Sequence, residues 1–333
     1  MPNPAAQASE GPGAAPRGTV TVLIVAYQSA RVLPRCLAAV AAQTRPPDRL
    51  IVIDNASTDG SAQVARDHGA EVIEAGANLG FAAANNLAAR RADTDWIAFL
   101  NPDAYAEPEW LERLMAATQR WPEAGAFGST QRDASEPERL DGVGDAYFVL
   151  GLPYRAGFGR RRALPPEGEV FGPCAAAALW RREAFVALGG FEERFFCYGE
   201  DVDLAFRHRL RGGSCVQVPD AVVLHEGSGI TGRRSDFTTY HGHRNRVWTY
   251  LRDVPLGVLL LSLPFHLGLS ALLAVRLAAA GQLRAYLRAM RDGYFGAGPF
   301  LRERRALHEG AAPIARALTY SPLALLRRGA KVW

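Results

Sequence analysis

The sequence predicts an α/β fold: a doubly wound, mostly parallel sheet with flanking helices, followed by a C-terminal helical segment that associates with a membrane. Three observations lead there. Apolar, β-branched runs alternate with helical spacings over the first hundred residues. Polar clusters follow the predicted strands, where doubly wound sheets collect ligands. An uncharged run of 21 residues occupies positions 255–275.

At 333 residues the chain has room for one large α/β domain and an appendage. Its 48% hydrophobic and 22% charged residues exclude a wholly disordered chain. The net charge of +4 is small but uneven, because the sequence from Arg276 onward is rich in arginine and poor in acid. That asymmetry suggests an anionic surface as partner; no nucleic acid is expected. Four cysteines, Cys36, Cys174, Cys197 and Cys215, form no CxxC pair, so reduced thiols fit better than zinc or disulfides.

Residues 1–18 are Ala, Pro and Gly without the apolar core of a secretory signal, and are expected to be a disordered tail. From Thr19, TVTVLIVAY reads as a strand buried on both faces. Val32, Leu33, Leu37 and Val40 then mark a helix over 30–43, ended near Pro46 and Pro47. RLIVID is a second strand, running into the turn NASTDG; a helix over 61–68, the strand EVIEA, a helix over 81–91 and the strand DWIAFL follow. Between Gly125 and Gly168 the pattern breaks down, and an irregular insertion on the acceptor side is expected. FGPCAAAALWRREAFVALGGF gives a strand and a helix, and YGEDVDLAFRHRL a loop opening a helix. The expected division is a domain over 19–250 and a C-terminal region over 251–333.

The uncharged run, Pro255 to Val275, is long enough to cross a bilayer. Arg244, Arg246 and Arg252 precede it and Arg276, Arg284, Arg288 and Arg291 follow, so a crossing strands one basic cluster on the wrong side. A helix lying on or dipping into the membrane is preferred over a span, a core helix or a homodimer contact.

Asp54, Asp103, the pair Glu200 and Asp201, and His225 each sit at a predicted strand end or in the loop after it. That set suits sugar transfer from a nucleotide diphosphate. The leaving diphosphate needs a cation held by carboxylate or imidazole, and the acceptor hydroxyl needs a carboxylate base.

In order, VLIVAYQSA, IVIDNASTDG, NLGFAAANN, FLNPDA, GGFEERFFCYGEDVDL and VVLHEGSGIT resemble glycosyltransferase family 2 enzymes of the GT-A fold, most closely their rhamnosyltransferase-like members. The resemblance covers about residues 20–247. It implies that Asp54 hydrogen-bonds the donor base with Val25 and Tyr27 near the pyrimidine, and that Asp59 supports that loop. Asn78, Gly80, Asn85 and Asn86 match the segment lining the nucleotide pocket; the alternative is a helix start with Asn85 and Asn86 on a solvent face. Asn101 and Asp103 occupy the place of the family's DxD motif, and Asp103 and His225 are implied metal ligands for Mn2+ or Mg2+. Asn101 is neutral where an acid is usual, which weakens the expected site by one charge. Asp201 is implied as the general base, with Glu200 beside it. Asp203 and Arg207, four residues apart, read as a surface ion pair. Arg244, Arg233 and Arg234 are candidate phosphate neighbours or plain surface charge.

The resemblance thus implies an inverting glycosyltransferase. Its best-matching donor is a dTDP-rhamnose, and its acceptor a glycan or polyprenyl-diphosphate-linked glycan of the cell envelope, met at the cytoplasmic face of a bacterial inner membrane. A UDP-hexose or galactofuranose donor, or a catalytically silent nucleotide-sugar binding protein, are the alternatives. A nucleotidyltransferase fits poorly, because VAYQSARVL lacks the glycine-rich loop that grips a triphosphate.

Overall fold

The computed structural model describes residues 18–161, 163–227 and 235–333. Except for Gly18, the tail expected over 1–18 lies outside them, as do Arg233, Arg234 and most of the Gly-Ser-Gly loop after His225.

The first half alternates strand and helix: β1 (Val20–Ala26), α1 (Leu33–Ala41), β2 (Arg49–Asp54), α2 (Ser61–Asp67), β3 (Glu71–Glu74), α3 (Gly80–Arg91) and β4 (Trp96–Leu100). After them come β5 (Ala104–Ala106), α4 (Trp110–Arg120), β6 (Ala124–Asp133), β7 (Leu140–Gly142), β8 (Asp145–Phe148), β9 (Leu152–Arg155) and β10 (Gly168–Val170). The rest comprises β11 (Ala177–Arg181), α5 (Arg182–Ala187), α6 (Glu200–Leu210), β12 (Ser214–His225), α7 (Asp236–Asp253), α8 (Leu256–Ala279), α9 (Leu283–Phe295), α10 (Gly298–His308) and α11 (Pro322–Leu326).

All seven residues of β1 are buried, as its unbroken β-branched run requires of a central strand. α1 opens on a proline at its first turn and turns Leu33, Cys36, Leu37 and Val40 inward, a helical stripe against the sheet. The main sheet has the order β10-β12-β6-β11-β4-β1-β2-β3. β1 pairs in parallel with both β2 and β4, so the order reverses beside it, and the crevice at the carboxyl ends of β1 and β4 is the natural ligand site. β11 runs antiparallel between β4 and β6, and β12 runs parallel to β6.

The insertion expected to be irregular over 125–168 instead contains most of β6 and all of β7, β8 and β9. β6 contributes ten residues to the sheet interior, and β8 and β9 form a hairpin. Its glycines and arginines hid this because they serve close packing and buried ion pairs rather than an apolar alternation. A Cβ on Gly128 would meet the Gln217 side chain at 2.8 Å, for example.

The pair Asp203 and Arg207 is not on the surface. Asp203 is fully buried, held by Arg207 at 2.7 Å and by Arg252 of α7, and so ties α6 to α7. Asn85 and Asn86 are buried as well: Asn86 accepts from the Phe191 amide and donates to its carbonyl, both at 2.8 Å.

α8 is 24 residues long, apolar enough to cross a membrane, with Pro264 inside it. It is polar inward and apolar outward. Its buried positions are Leu259, Ser262, His266 and Ser270, on one face at helical spacing, while Leu260, Leu261, Phe265, Leu272 and Val275 are exposed. The basic cluster expected before it also changes character. Arg246 and Arg252 are each 3% exposed, so they pack inside the protein instead of flanking a membrane segment. Arg276, Arg284, Arg288 and Arg291, after the apolar run, are exposed. The C-terminal segment returns to the sheet, where Trp333 and Glu169 exchange two backbone hydrogen bonds of 3.1 Å.

Candidate active site

The end of β1 and the end of β2 are in register, Ala26 opposite Asp54, which brings Val25, Tyr27 and Asp54 to one rim of the crevice. Asp54 is 5% exposed; one carboxylate oxygen accepts from the Ser57 amide at 3.2 Å and the other is buried with no partner among the described residues. Such an orphaned oxygen is an acceptor waiting for a donor. Asp59 supports the loop as expected, accepting from the amides of Ala30 and Ser61. Asn78 accepts from the side chain of Asn55 at 2.9 Å and from the Gly80 amide at 3.0 Å, so it steadies the turn that enters α3. Gly80 has φ +79°, and a Cβ there would lie 2.5 Å from the Phe196 carbonyl oxygen. The close approach that this glycine permits is therefore that of the 196 loop.

At the next strand end, Asp103 follows β4 and His225 ends β12. Asp103 Oδ1 lies 3.2 Å from His225 Nε2, and the Asn101 amide nitrogen lies 3.4 Å from the same Nε2. The other ring nitrogen, Nδ1, is 2.7 Å from Asp141 Oδ2, and Asp141 in turn pairs with Arg155. Burial opposes a charge on this imidazole, but the two carboxylates outweigh it and hold His225 up to about 9. A divalent cation held by Asp103 Oδ1 and His225 Nε2 would take the place of the proton these atoms share, with Asp141 as the orienting partner behind the histidine. Asp103 and His225 thus fit a bound Mn2+ or Mg2+.

The acidic loop supplies the opposite wall. Gly199, with φ +86°, caps α6, and Glu200 and Asp201 fall in its first turn, where the helix dipole favours negative charge. Asp201 accepts from the amides of Ala175 at 3.1 Å and Val202 at 2.8 Å. Glu200 is buried, with one oxygen unpartnered among the described residues; burial and then the charge of Asp201 lift its carboxyl well above the usual range.

Asp145, absent from the sequence reading, lies against Asp201: their carboxylate oxygens and Cys174 Sγ fall within 4.8 Å of one another. Burial and then the Asp201 charge lift Asp145 too, making it the protonated partner of the pair. Cys174 is also pushed up by burial, so this trio suits a shared proton better than a cation.

A cleft of about 340 Å³ joins these parts. Its walls include Phe81, Asn101, Asp145, Arg155, Glu200, Asp201 and Arg246. Asn101 and Arg155 connect it to the Asp103 and His225 end. A second hollow of about 460 Å³ lies beside Arg207, Arg252 and Glu303, but its charges are paired with one another. The chemistry therefore belongs to the smaller cleft.

Arg244 is placed otherwise than expected. Its guanidinium donates to the carbonyls of Arg194 and Phe195 and to Asn245, and stacks 4.3 Å from Trp248, bracing the loop before Glu200 rather than facing the crevice. Asp141, Asp145, Arg155 and Arg246 were missed. The only hint to the first two was the LDGVGD segment, acids spaced by glycines inside the stretch taken for an insertion.

Residues 21–189 match the model of Glycosyl transferase family 2. An N-acetylglucosaminyl-diphospho-decaprenol L-rhamnosyltransferase of Mycobacterium tuberculosis is 33% identical over 70% of this chain and 83% of its own. A rhamnosyltransferase of Escherichia coli is 26% identical over 53% of this chain and 72% of its own. Among solved structures, a mannosyltransferase from Pyrobaculum calidifontis in complex with GDP-Man and Mn2+ superposes with a TM-score of 0.53 at 22% identity, covering 88% of this chain and 86% of that one.

Proposed function

Because the chain belongs to glycosyltransferase family 2, whose members have the GT-A fold and invert, we propose that it transfers rhamnose from dTDP-rhamnose to a polyprenyl-diphosphate-linked glycan. The observation that carries this reading is the cleft itself, with the Asp103 and His225 pair at one end and Asp201 at the other. The names of the mycobacterial and E. coli relatives support the choice of sugar, and the former also supports the acceptor.

In this reading Asp54 accepts from the donor base, and Val25 and Tyr27 flank the pyrimidine. Asp103 and His225 hold Mn2+ or Mg2+, which when bound offsets the charge of the leaving diphosphate. The acceptor oxygen bonds to the anomeric carbon on the face opposite the diphosphate, the carbon–oxygen bond to the diphosphate breaks, and Asp201 takes the hydroxyl proton. Asp145, protonated, hydrogen-bonds Asp201 and fixes its orientation. Asn101 completes the wall beside the metal ligands without adding charge.

α8 docks on the cytoplasmic face of the inner membrane. Its polar face packs inward and its leucine face is left uncovered by the described residues, and the exposed arginines that follow suit anionic headgroups. Cosedimentation with phosphatidylglycerol vesicles tests this; retention of the full chain in the supernatant would contradict it. The donor is tested by binding a panel of nucleotide sugars with and without Mn2+. dTDP-rhamnose should bind most tightly, and a preference for a UDP sugar would replace it.

A further inference from the structure

Two guanidinium groups line the cleft, and only one is ion-paired among the described residues. Arg155 pairs with Asp141 and feels Asp145 and Asp201. Arg246, 3% exposed, makes no ion pair among the described residues; the groups that most raise its affinity for its proton are the phenols of Tyr286, Tyr147 and Tyr294. Its Nη1 donates to the Gly151 carbonyl at 3.4 Å and its Nη2 to Ser270 Oγ at 2.9 Å and Met290 Sδ at 3.7 Å, all neutral, and its buried Nε has no partner among the described residues. Besides burial, its charge is what pushes neighbouring His243 down to about 3. A buried guanidinium without a counter-anion is costly unless something else supplies the anion.

Its position says which anion. α7 presents Gly242, Arg246 and Thr249 to the cleft, while the Arg246 fork reaches Ser270 on the inward face of α8. The charge therefore stands between Asp201 and the helix whose outer face is apolar. The β8–β9 hairpin spans the same distance. Asp145 and Arg155 face each other at its cleft end, and the Leu150 carbonyl near its tip accepts from His266 Nδ1 of α8 at 2.8 Å.

We propose that Arg246 binds the diphosphate of the lipid-linked acceptor, so that the sugar on one side of the diphosphate reaches Asp201 and the polyprenyl chain on the other runs along α8. A guanidinium fork matches phosphate oxygens, and a diphosphate is what joins sugar to lipid in that acceptor class. This rests on the reading that the acceptor is a polyprenyl diphosphate. The competing role is mechanical: Arg246 would only clamp α7 to α8.

The full chain in detergent micelles, in EDTA and without donor, is titrated with geranylgeranyl diphosphate and with geranylgeraniol. The diphosphate should bind at least tenfold tighter than the alcohol, Arg246→Gln should erase that difference, and Arg246→Lys should keep part of it. Saturating dTDP with Mn2+ should not displace the lipid. Equal binding of diphosphate and alcohol to the parent chain would overturn the proposal, as would unaltered selectivity in Arg246→Gln. Displacement by dTDP would overturn it by placing the diphosphate in the donor site, and inorganic pyrophosphate binding as tightly as the lipid would make the ligand free diphosphate. If Arg246→Gln fails to fold, Arg246→Lys and the parent-chain comparisons still decide. Failure here together with loss of transfer in Asp201→Asn would leave the transferase reading intact. Lipid diphosphate binding that depends on Arg246, together with full transfer by Asp201→Asn, would do the reverse.

Discussion

His225 Nδ1 lies 2.7 Å from Asp141 Oδ2, so the histidine that faces Asp103 with one nitrogen is fixed from behind by a second carboxylate through the other. Partners of this kind set ring orientation and ligand basicity, and their loss typically costs 10- to 100-fold in metal affinity. Asp141→Asn is therefore expected to weaken Mn2+ binding by about that factor. Counting free Mn2+ by electron paramagnetic resonance checks this without any turnover.

Glu200 is buried and its carboxyl is raised, so it sits in the cleft largely as the neutral acid. An amide has the same shape and no charge. Glu200→Gln should then keep transfer within about tenfold of the parent, whereas Glu200→Ala, which removes the wall, should lose considerably more. A Gln variant as damaged as the Ala variant would show that Glu200 acts ionised.

Gly80 combines φ +79° with a Cβ position 2.5 Å from the Phe196 carbonyl oxygen. Gly80→Ala should destabilise the fold by at least about 2 kcal/mol, because both backbone strain and the clash act at once. Urea unfolding of the two chains measures it. Phe196 itself has φ +64°, so its loop has little room to move aside.

His208 is packed between Gly125 and Gly213, and burial, helped by the charge of Arg209, pushes it down to about 4 while the Ser214 carbonyl works against the shift. Between pH 4 and 6.5 the unfolded chain binds a proton there that the folded chain does not. Stability must therefore rise with pH across that window, by at most about 3 kcal/mol. His208→Gln should flatten this part of the stability profile.

The first hundred residues were legible because central parallel strands are continuous apolar runs, and their ends carry the polar clusters that became the crevice. Asp54, Asp103 and His225 stood out for that reason, and Asp201 through the acidic loop that opens α6. Asp141, Asp145 and Arg155 did not, since they lie on strands of three or four residues, too short to show an alternation, and their meaning comes from partners far away in sequence. Arg246 was read as part of a basic cluster flanking the apolar run. Nothing local separates an arginine that faces headgroups from one buried beneath a helix. α8 was legible as an apolar segment, while the inward placement of Ser262, His266 and Ser270 required the packed structure.

The central claim is that Asp201 takes the acceptor proton. The direct measurement is single-turnover transfer by Asp201→Asn with Mn2+ and dTDP-rhamnose, paired with donor binding to the same variant. Donor affinity within a few-fold of the parent and a transfer rate reduced by about 10² or more is the expected result. Transfer at the parent rate would contradict it.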